Sequence, residues 1–334
     1  MLAAWYERNG EAADVLHVGQ MPDTEPGPNE VRIALRSAGV NPSDVKMRMG
    51  LRKRMEFPRV IPGCDGAGVV DKVGAGVDTE WIGRRVWTYE AQWNRPFGTS
   101  AEFVVVPIAQ VARLPAELGF DAGACLGVPY MTAHRAVFSD GDVAGKTLLV
   151  QGGAGVVGHY ATQLAKWAGA RVITTVSNEA KALHAERAGA DHVVNYKSEP
   201  LREVIFDLTA GKGVDRIIEV ELGQNIALDF ELIRPYGTIA TYGSQAVHNA
   251  EISHFSMSPK NARIQMIFVY TMPTEAKQQA IDNLATWVAT RTAIFAVAQR
   301  FPLSEIVAAH AGVEQGEKIG HMLLTLASST ANSE

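Results

Sequence analysis

Gly153, Gly155 and Gly158 follow the order Gly-x-Gly-x-x-Gly, directly after an apolar run, Leu148 to Val150, and before a stretch of helical periodicity. A strand that turns through glycines into a helix can hold the pyrophosphate of a dinucleotide. One glycine makes the tight turn, the second lets backbone approach the phosphates, and the third lets helix and strand pack closely. The helix N-terminus adds unpaired N–H groups and the positive end of its dipole. The same spacing also arises in glycine-rich turns that bind nothing, so the surroundings decide. Val157, Tyr160, Ala161, Leu164, Ala165 and Ala168 make one apolar stripe, and a second apolar strand, Arg171 to Val176, follows at once. Together they complete a βαβ unit of about thirty residues. The chemistry implied is hydride exchange with a nicotinamide dinucleotide.

The tip of the second strand discriminates between cofactors. Units that prefer NAD place an acidic side chain about 20 residues past the glycines, on the ribose 2′-hydroxyl. Here the strand runs into Ser177 and Asn178, with Lys181 one turn further on. A 2′-phosphate takes neutral or cationic partners and is repelled by a carboxylate. NADPH is therefore the expected cofactor. Ser177 or Asn178 is equally suited to capping the next helix, with Lys181 in solvent, and capping is compatible with phosphate contact. Other chemistries find little support. Two cysteines, Cys64 and Cys125, make neither a disulfide framework nor a ligand cluster, and none of the nine histidines forms a ligand pair or triad. Glu219 and Glu221 alternate along one strand. One of them must face inward or toward a cleft, and neither is assigned a role.

The elements that must position these residues divide the chain in two. Residues 1–120 read as short strands between turn signals such as Pro26-Gly-Pro28, Asn41-Pro42 and Pro62-Gly63, an all-β, barrel-like unit. From about 121 to 274, strands expected at 147–151, 171–176, 192–195, 214–220 and 236–242 alternate with helices at 178–188, 199–209 and 223–233. That alternation implies a parallel, doubly wound sheet. Residues 275–334 carry two helices, Thr274 to Val288 and Leu303 to His310, and a strand, His321 to Leu326, expected to complete the first domain. The chain of 334 residues is 47% apolar and 20% charged, the composition of an ordinary globular protein. Its net charge of −5 gives no reason to expect nucleic-acid binding. Apolar runs are too short for a membrane span, and no signal peptide is evident at the N-terminus, so a cytoplasmic location is expected.

The chain resembles the zeta-crystallin-like quinone oxidoreductases, zinc-independent members of the medium-chain dehydrogenase/reductase superfamily. The segments that carry the resemblance are Ala38–Asp44 with Arg48 and Gly50, Ile61–Val70, Gly127–His134, Gly145–Gly158 with Gln163 and Lys166, and Gly189–Tyr196. They span nearly the whole chain. The resemblance implies an α/β protein with a GroES-like β-rich catalytic domain, a Rossmann coenzyme domain, a cleft between them, and a homodimer or homotetramer. Zinc alcohol dehydrogenases place a cysteine, a histidine and a second cysteine where this chain has Asn41, Cys64 and Val128. Catalytic zinc needs about three N or S ligands, so no metal is expected. Without a Lewis acid, hydride transfer suits an acceptor that delocalises charge, a quinone or an enone.

Roles for individual residues also come from the resemblance. Asn41 resembles the amide beside nicotinamide and substrate, although an Asn-Pro turn explains it equally well on sequence alone. Thr132 resembles a contact near the nicotinamide ribose. Ala154, Gly155, Val156 and Val157 match the pyrophosphate segment, and Ser177, Lys181 and Tyr196 surround the adenosine ribose phosphate. Asn225, Gly243, Ser244, Ile267, Phe268 and Val269 match later cofactor contacts. The sequence departs from the pattern at Val156, where glycine is usual, and at Lys46, where a tyrosine commonly lines the nicotinamide pocket. Lys46 could donate a proton, attract an anionic acceptor, or be solvated. Trp93, Arg95 and Phe97 suit a wall of the acceptor site or ordinary packing. The expected function is NADPH-dependent reduction of quinones or related conjugated carbonyls. A reductase of enones, enals or enoyl thioesters and a non-enzymatic, crystallin-like NADPH-binding protein are the alternatives.

Overall fold

The computed structural model describes residues 1–326. The described residues form two compact units, Met1–Pro129 together with the chain from Phe295, and Tyr130–Ile294. The first unit opens with seven strands: β1 (Leu2–Trp5), β2 (His17–Gln20), β3 (Glu30–Val40), β4 (Asp65–Val73), β5 (Arg85–Thr88), β6 (Phe103–Pro107) and β7 (Val111–Arg113). The second unit carries β8 (Thr147–Val150), β9 (Arg171–Val176), β10 (His192–Asn195), β11 (Val214–Glu219), β12 (Ile233–Thr241) and β13 (Arg263–Met266). Two last strands, β14 (Val297–Pro302) and β15 (His321–Thr325), return to the first unit.

Strand β3 organises the first unit. Val31, Ile33 and Leu35 alternate and are all buried, as a half-buried strand requires. Two register shifts against β4, at Arg32/Ile33 and Leu35/Ser37, bend β3 along its length. Its other edge can then serve two partners, β6 along Glu30–Ala34 and β15 along Ser37–Val40. The C-terminal strand therefore completes the N-terminal sheet. Polar Arg32 is tolerated within the sheet because it pairs with Asp71 at 2.6 Å and lies over the Phe103 ring.

The second unit is a six-stranded parallel sheet in the order β10-β9-β8-β11-β12-β13. The chain starts in the middle at β8, winds outward through β9 and β10, and resumes on the other side at β11. The reversal between β8 and β11 is the switch point outside which ligands bind in such sheets. Leu149, Ile173, Ile217 and Ile239 are fully buried, consistent with helices on both faces. The expected strands appear within a few residues, and β12 starts three residues before the expected 236 because Ile233 pairs with Val214. Strand β13 escaped sequence reading: Arg-Ile-Gln-Met is a half-exposed edge with no apolar run.

The boundaries expected at 120/121 and 274/275 fall instead at 129/130 and 294/295. Side-chain packing moves both. The helix Phe120–Ala124 belongs with the first sheet, where a Cβ on Gly39 would stand 2.5 Å from the Ala124 carbonyl. The helix Thr274–Ala289 belongs to the second unit. Tyr130 donates its hydroxyl to the Ala280 carbonyl at 2.7 Å and stacks on Trp287 at 5.9 Å. The crossing is one π-helical turn, Leu126–Tyr130, which contains Pro129. Among the described residues no helix is long and apolar enough to cross a membrane.

Candidate dinucleotide-binding site

The glycine turn follows β8 directly, and its glycines divide the work differently from the expected assignment. Gly152, not Gly153, makes the tight turn, with φ +69°. Its N–H and that of Gly153 are held by the Thr175 hydroxyl and carbonyl, each at 3.0 Å. Gly153 is glycine because a Cβ there would stand 1.8 Å from the Thr174 Oγ1. Gly158 is glycine because its Cβ would stand 2.4 Å from the Gly152 carbonyl, so the helix can sit against the turn. Gly155 is exposed and caps the helix Val156–Trp167, whose first residues are half-exposed. The first turn of any helix leaves N–H groups without intrahelical partners. Val156 takes a helical position with no positive φ, so its branched side chain does not disturb the backbone donors.

At the carboxyl end of β9, Lys181 donates from Nζ to the Ser177 hydroxyl at 3.1 Å. Asn178 caps the helix Glu179–Arg187, its Oδ1 accepting from the Lys181 N–H at 2.9 Å. Tyr196 leaves β10 beside them, its N–H donating to the Val176 carbonyl, with the side chain 53% exposed. A neutral hydroxyl, an ammonium and a phenol thus share one end of the sheet. Gly243 and Ser244 follow β12, and the Ser244 hydroxyl accepts from the Gly223 N–H at 2.9 Å. Ile267, Phe268 and Val269 follow β13, with Phe268 exposed and its neighbours buried. Ala154, buried, completes the glycine turn, and Thr132 is buried on the helix Met131–Phe138. The residues expected to hold a cofactor therefore gather, apart from Thr132, at the carboxyl ends of parallel strands.

Sequence reading missed a buried acid pair here. Glu219 accepts from the Glu221 N–H and from the Asn225 amide at 3.1 Å. Asp229 accepts from the Gln151 amide at 3.3 Å. Burial pushes both carboxyls above their ordinary range, and Glu219 pushes Asp229 further. Asn225 is thereby oriented by Glu219. Glu221 accepts from the backbone N–H groups of Gln245 and Ala246 at 2.9 Å and so fastens the loop after β12.

In the first unit Asn41 is buried and starts the helix Pro42–Met49. Its N–H donates to Asp44 at 2.8 Å and its side-chain amide to Asp65 at 2.7 Å. Asp65 also accepts from the Val128 N–H at 2.9 Å, while the Cys64 thiol shares a hydrogen bond with Asp44. Asn41, Cys64 and Val128 are thus joined through two carboxylates. Burial raises Asp44 to about 6, and burial with Asp44 alongside raises Asp65 well above its ordinary value. Gly127 leaves room for this, since a Cβ there would stand 1.9 Å from an Asp65 oxygen. Among the described residues no group of three or more His, Cys, Asp or Glu side chains could hold a metal ion. Lys46 is half-buried on the same helix. Arg95 pairs with Glu30 at 3.0 Å, and Phe97 packs with Met1, Ala3, Ile61 and Ala101, so these two serve packing.

Comparison with known proteins places this geometry. The zinc-binding dehydrogenase family model matches residues 156–286, and that of the alcohol dehydrogenase GroES-like domain matches residues 27–116. The chain belongs to the medium-chain dehydrogenase/reductase family. It is 30% identical over 303 residues to a quinone oxidoreductase of Rattus norvegicus, covering 90% of each chain. Within the family it is therefore quinone oxidoreductase-like. A 2-haloacrylate reductase of a Burkholderia species is 28% identical over 312 residues, covering 90% of this chain and 91% of that one. The Escherichia coli quinone oxidoreductase complexed with NADPH matches the fold with a TM-score of 0.86 at 25% identity, covering 97% of this chain and all of that one.

Proposed function

We propose that the protein is an NADPH-dependent reductase of quinones or related conjugated carbonyls and that it works without a metal. The observation that carries the reading is the Lys181–Ser177 pair on the same sheet end as the glycine turn. A 2′-phosphate suits that pair, and the turn suits a pyrophosphate: Gly153 and Gly158 admit no Cβ, Gly155 is exposed to solvent, and the helix start supplies donors. In this reading the amides of Ala154–Val157 hold the pyrophosphate. Ser177, Lys181 and Tyr196 hold the adenosine ribose phosphate. Thr132, Asn225, Gly243, Ser244 and Ile267–Val269 hold the remainder. NADPH, when bound, supplies a hydride with its electron pair, and a proton from water completes the two-electron reduction.

The names of the rat and Escherichia coli relatives support a quinone as acceptor, and that of the Burkholderia relative supports a conjugated acid. Both acceptors spread incoming negative charge over their own π system, so neither needs a Lewis acid. The Asn41–Asp65–Val128 hydrogen bonds support metal independence, because they fill the positions of the zinc ligands with a carboxylate-held amide and an isopropyl group. Asn41 acts as a positioning residue, fixed by Asp65 and Asp44, and Lys46 contacts the acceptor.

The test follows NADPH absorbance with naphthoquinones, benzoquinones and enals, with and without chelator. Oxidation that chelator does not slow is expected. No oxidation with any acceptor would leave a cofactor-binding protein instead, and loss of activity with chelator would overturn metal independence.

A further inference from the structure

Glu219 ends β11 and Asp229 lies on the helix Leu222–Leu232, and both are fully buried. Their carboxyls share a hydrogen bond. An ionised carboxylate only accepts, so one of the two must carry a proton. The other donors to the pair are amides, with no lysine, arginine or histidine among the described residues that bond to it. Like charges in contact without a cation do not both ionise. Glu219 is the better anion. It accepts from the Glu221 N–H and, with its two oxygens at 3.1 and 3.3 Å, from the Asn225 amide. Asp229 receives only the Gln151 amide, at 3.3 Å on Oδ1, and its buried Oδ2 accepts from no described donor. A buried oxygen left in that state is costly unless it becomes a donor. The proton therefore belongs on Asp229 Oδ2.

The polar chain continues on the other side of Asp229. The Gly152 N–H donates to the Thr175 hydroxyl at 3.0 Å, which leaves that hydroxyl to donate to the Gln151 side-chain oxygen at 2.9 Å. Thr175 and Gln151 are buried as well. Every donor from Gly152 to Glu219 thus points the same way, an arrangement in which each bond polarises the next. At its end Glu219 fixes the Asn225 Nδ2, and the carbonyl oxygen of that amide is left to accept from a ligand.

We propose that Asp229 is a protonated positioning residue, which donates from Oδ2 to Glu219 and so closes one hydrogen-bond chain between the glycine turn and Asn225. The proposal rests on the cofactor reading above and adds what keeps those two contacts in register; the proton is held, not transferred.

The experiment titrates NADPH and NADH by fluorescence into the unmodified protein, D229A, D229N and E219Q. D229A should raise both dissociation constants about tenfold, as expected when a buried hydrogen bond loses one partner. D229N should restore them to within about twofold, because its Nδ2 donates to Glu219 while its Oδ1 still accepts from Gln151. E219Q should raise them about tenfold, since a glutamine has one accepting oxygen where Glu219 has two. The ratio between the cofactors should stay constant, in contrast to Lys181→Ala, because Ser177 and Lys181 are not members of the chain. Loss in D229N with retention in E219Q would put the proton on Glu219 and overturn the proposal. So would equal losses in D229A and D229N, or unchanged constants in all three variants. If the unmodified protein binds neither cofactor, the cofactor reading fails. Infrared difference spectra of the unmodified protein against D229N at about pH 8 then still decide on the proton, as they do if D229A or E219Q does not fold. The carbonyl stretch of an un-ionised carboxyl that D229N lacks supports the assignment, and no such band refutes it.

Discussion

Lys181 and Asp44 show how much one side chain depends on its immediate partners. Lys181 lies on Ser177 with its backbone N–H on the Asn178 cap, so the helix cap leaves the ammonium at the strand tip, and the proposed phosphate contact is compatible with it. Lys181→Ala should raise the dissociation constant for NADPH about tenfold and leave that for NADH unchanged, as removal of one charge-assisted contact predicts; fluorescence titration with both cofactors checks this. Asp44 is fully buried and has its pKa raised from near 3.8 to about 6. The folded state therefore holds the proton more tightly than the unfolded chain. That stabilisation is complete below the ordinary value and is lost as pH rises through about 6. Asp44→Asn cannot ionise, so its melting temperature should gain on the unmodified protein between pH 4 and 6 and keep a constant lead above, worth at most about 3 kcal/mol. A lead independent of pH would refute the assignment. Asn41 was recognisable from its own motif, but its hold on Asp65 was not, because the two are 24 residues apart.

At the scale of elements, the glycine turn and the long C-terminal helix carry the argument. Gly153→Ala would drive a methyl group into Thr174, which already donates to the Val150 carbonyl at 2.8 Å. Forced overpacking of this kind costs about 1–3 kcal/mol, and the shifted turn should also lose NADPH affinity. Urea unfolding and cofactor titration of one variant measure both effects. In the helix Thr274–Ala289, Trp287 is buried on Tyr130 and stands edge-on to Tyr160. Trp287→Ala should cost about 3–5 kcal/mol by cavity formation in the unfolding of the second unit. The helix itself was legible from periodicity. Its membership was not, since an amphipathic stripe does not say which core it meets.

For the whole molecule the expected homodimer or homotetramer remains the reading to test. Strand β13 leaves one edge of the six-stranded sheet without a strand partner among the described residues; Met266 on that strand is 67% exposed, and Phe255, on the helix His254–Met257 that precedes it in the chain, is 86% exposed. Such edges are blocked or paired in stable proteins. Sedimentation should show a species of at least two chains, and Phe255→Asp with Met266→Lys should shift it toward monomer; a monomeric starting protein would refute this. The sequence by itself determined the doubly wound sheet, the glycine turn and the strand tip without a carboxylate at Ser177 and Asn178, because each depends on neighbours within about thirty residues of chain. Only the tertiary structure decided that Gly152 makes the turn, that β15 completes the first sheet, and that Asp65 joins Asn41 to Val128, 63 residues further on. These are meetings of distant residues, and steric fit and buried hydrogen bonding select them, not local periodicity.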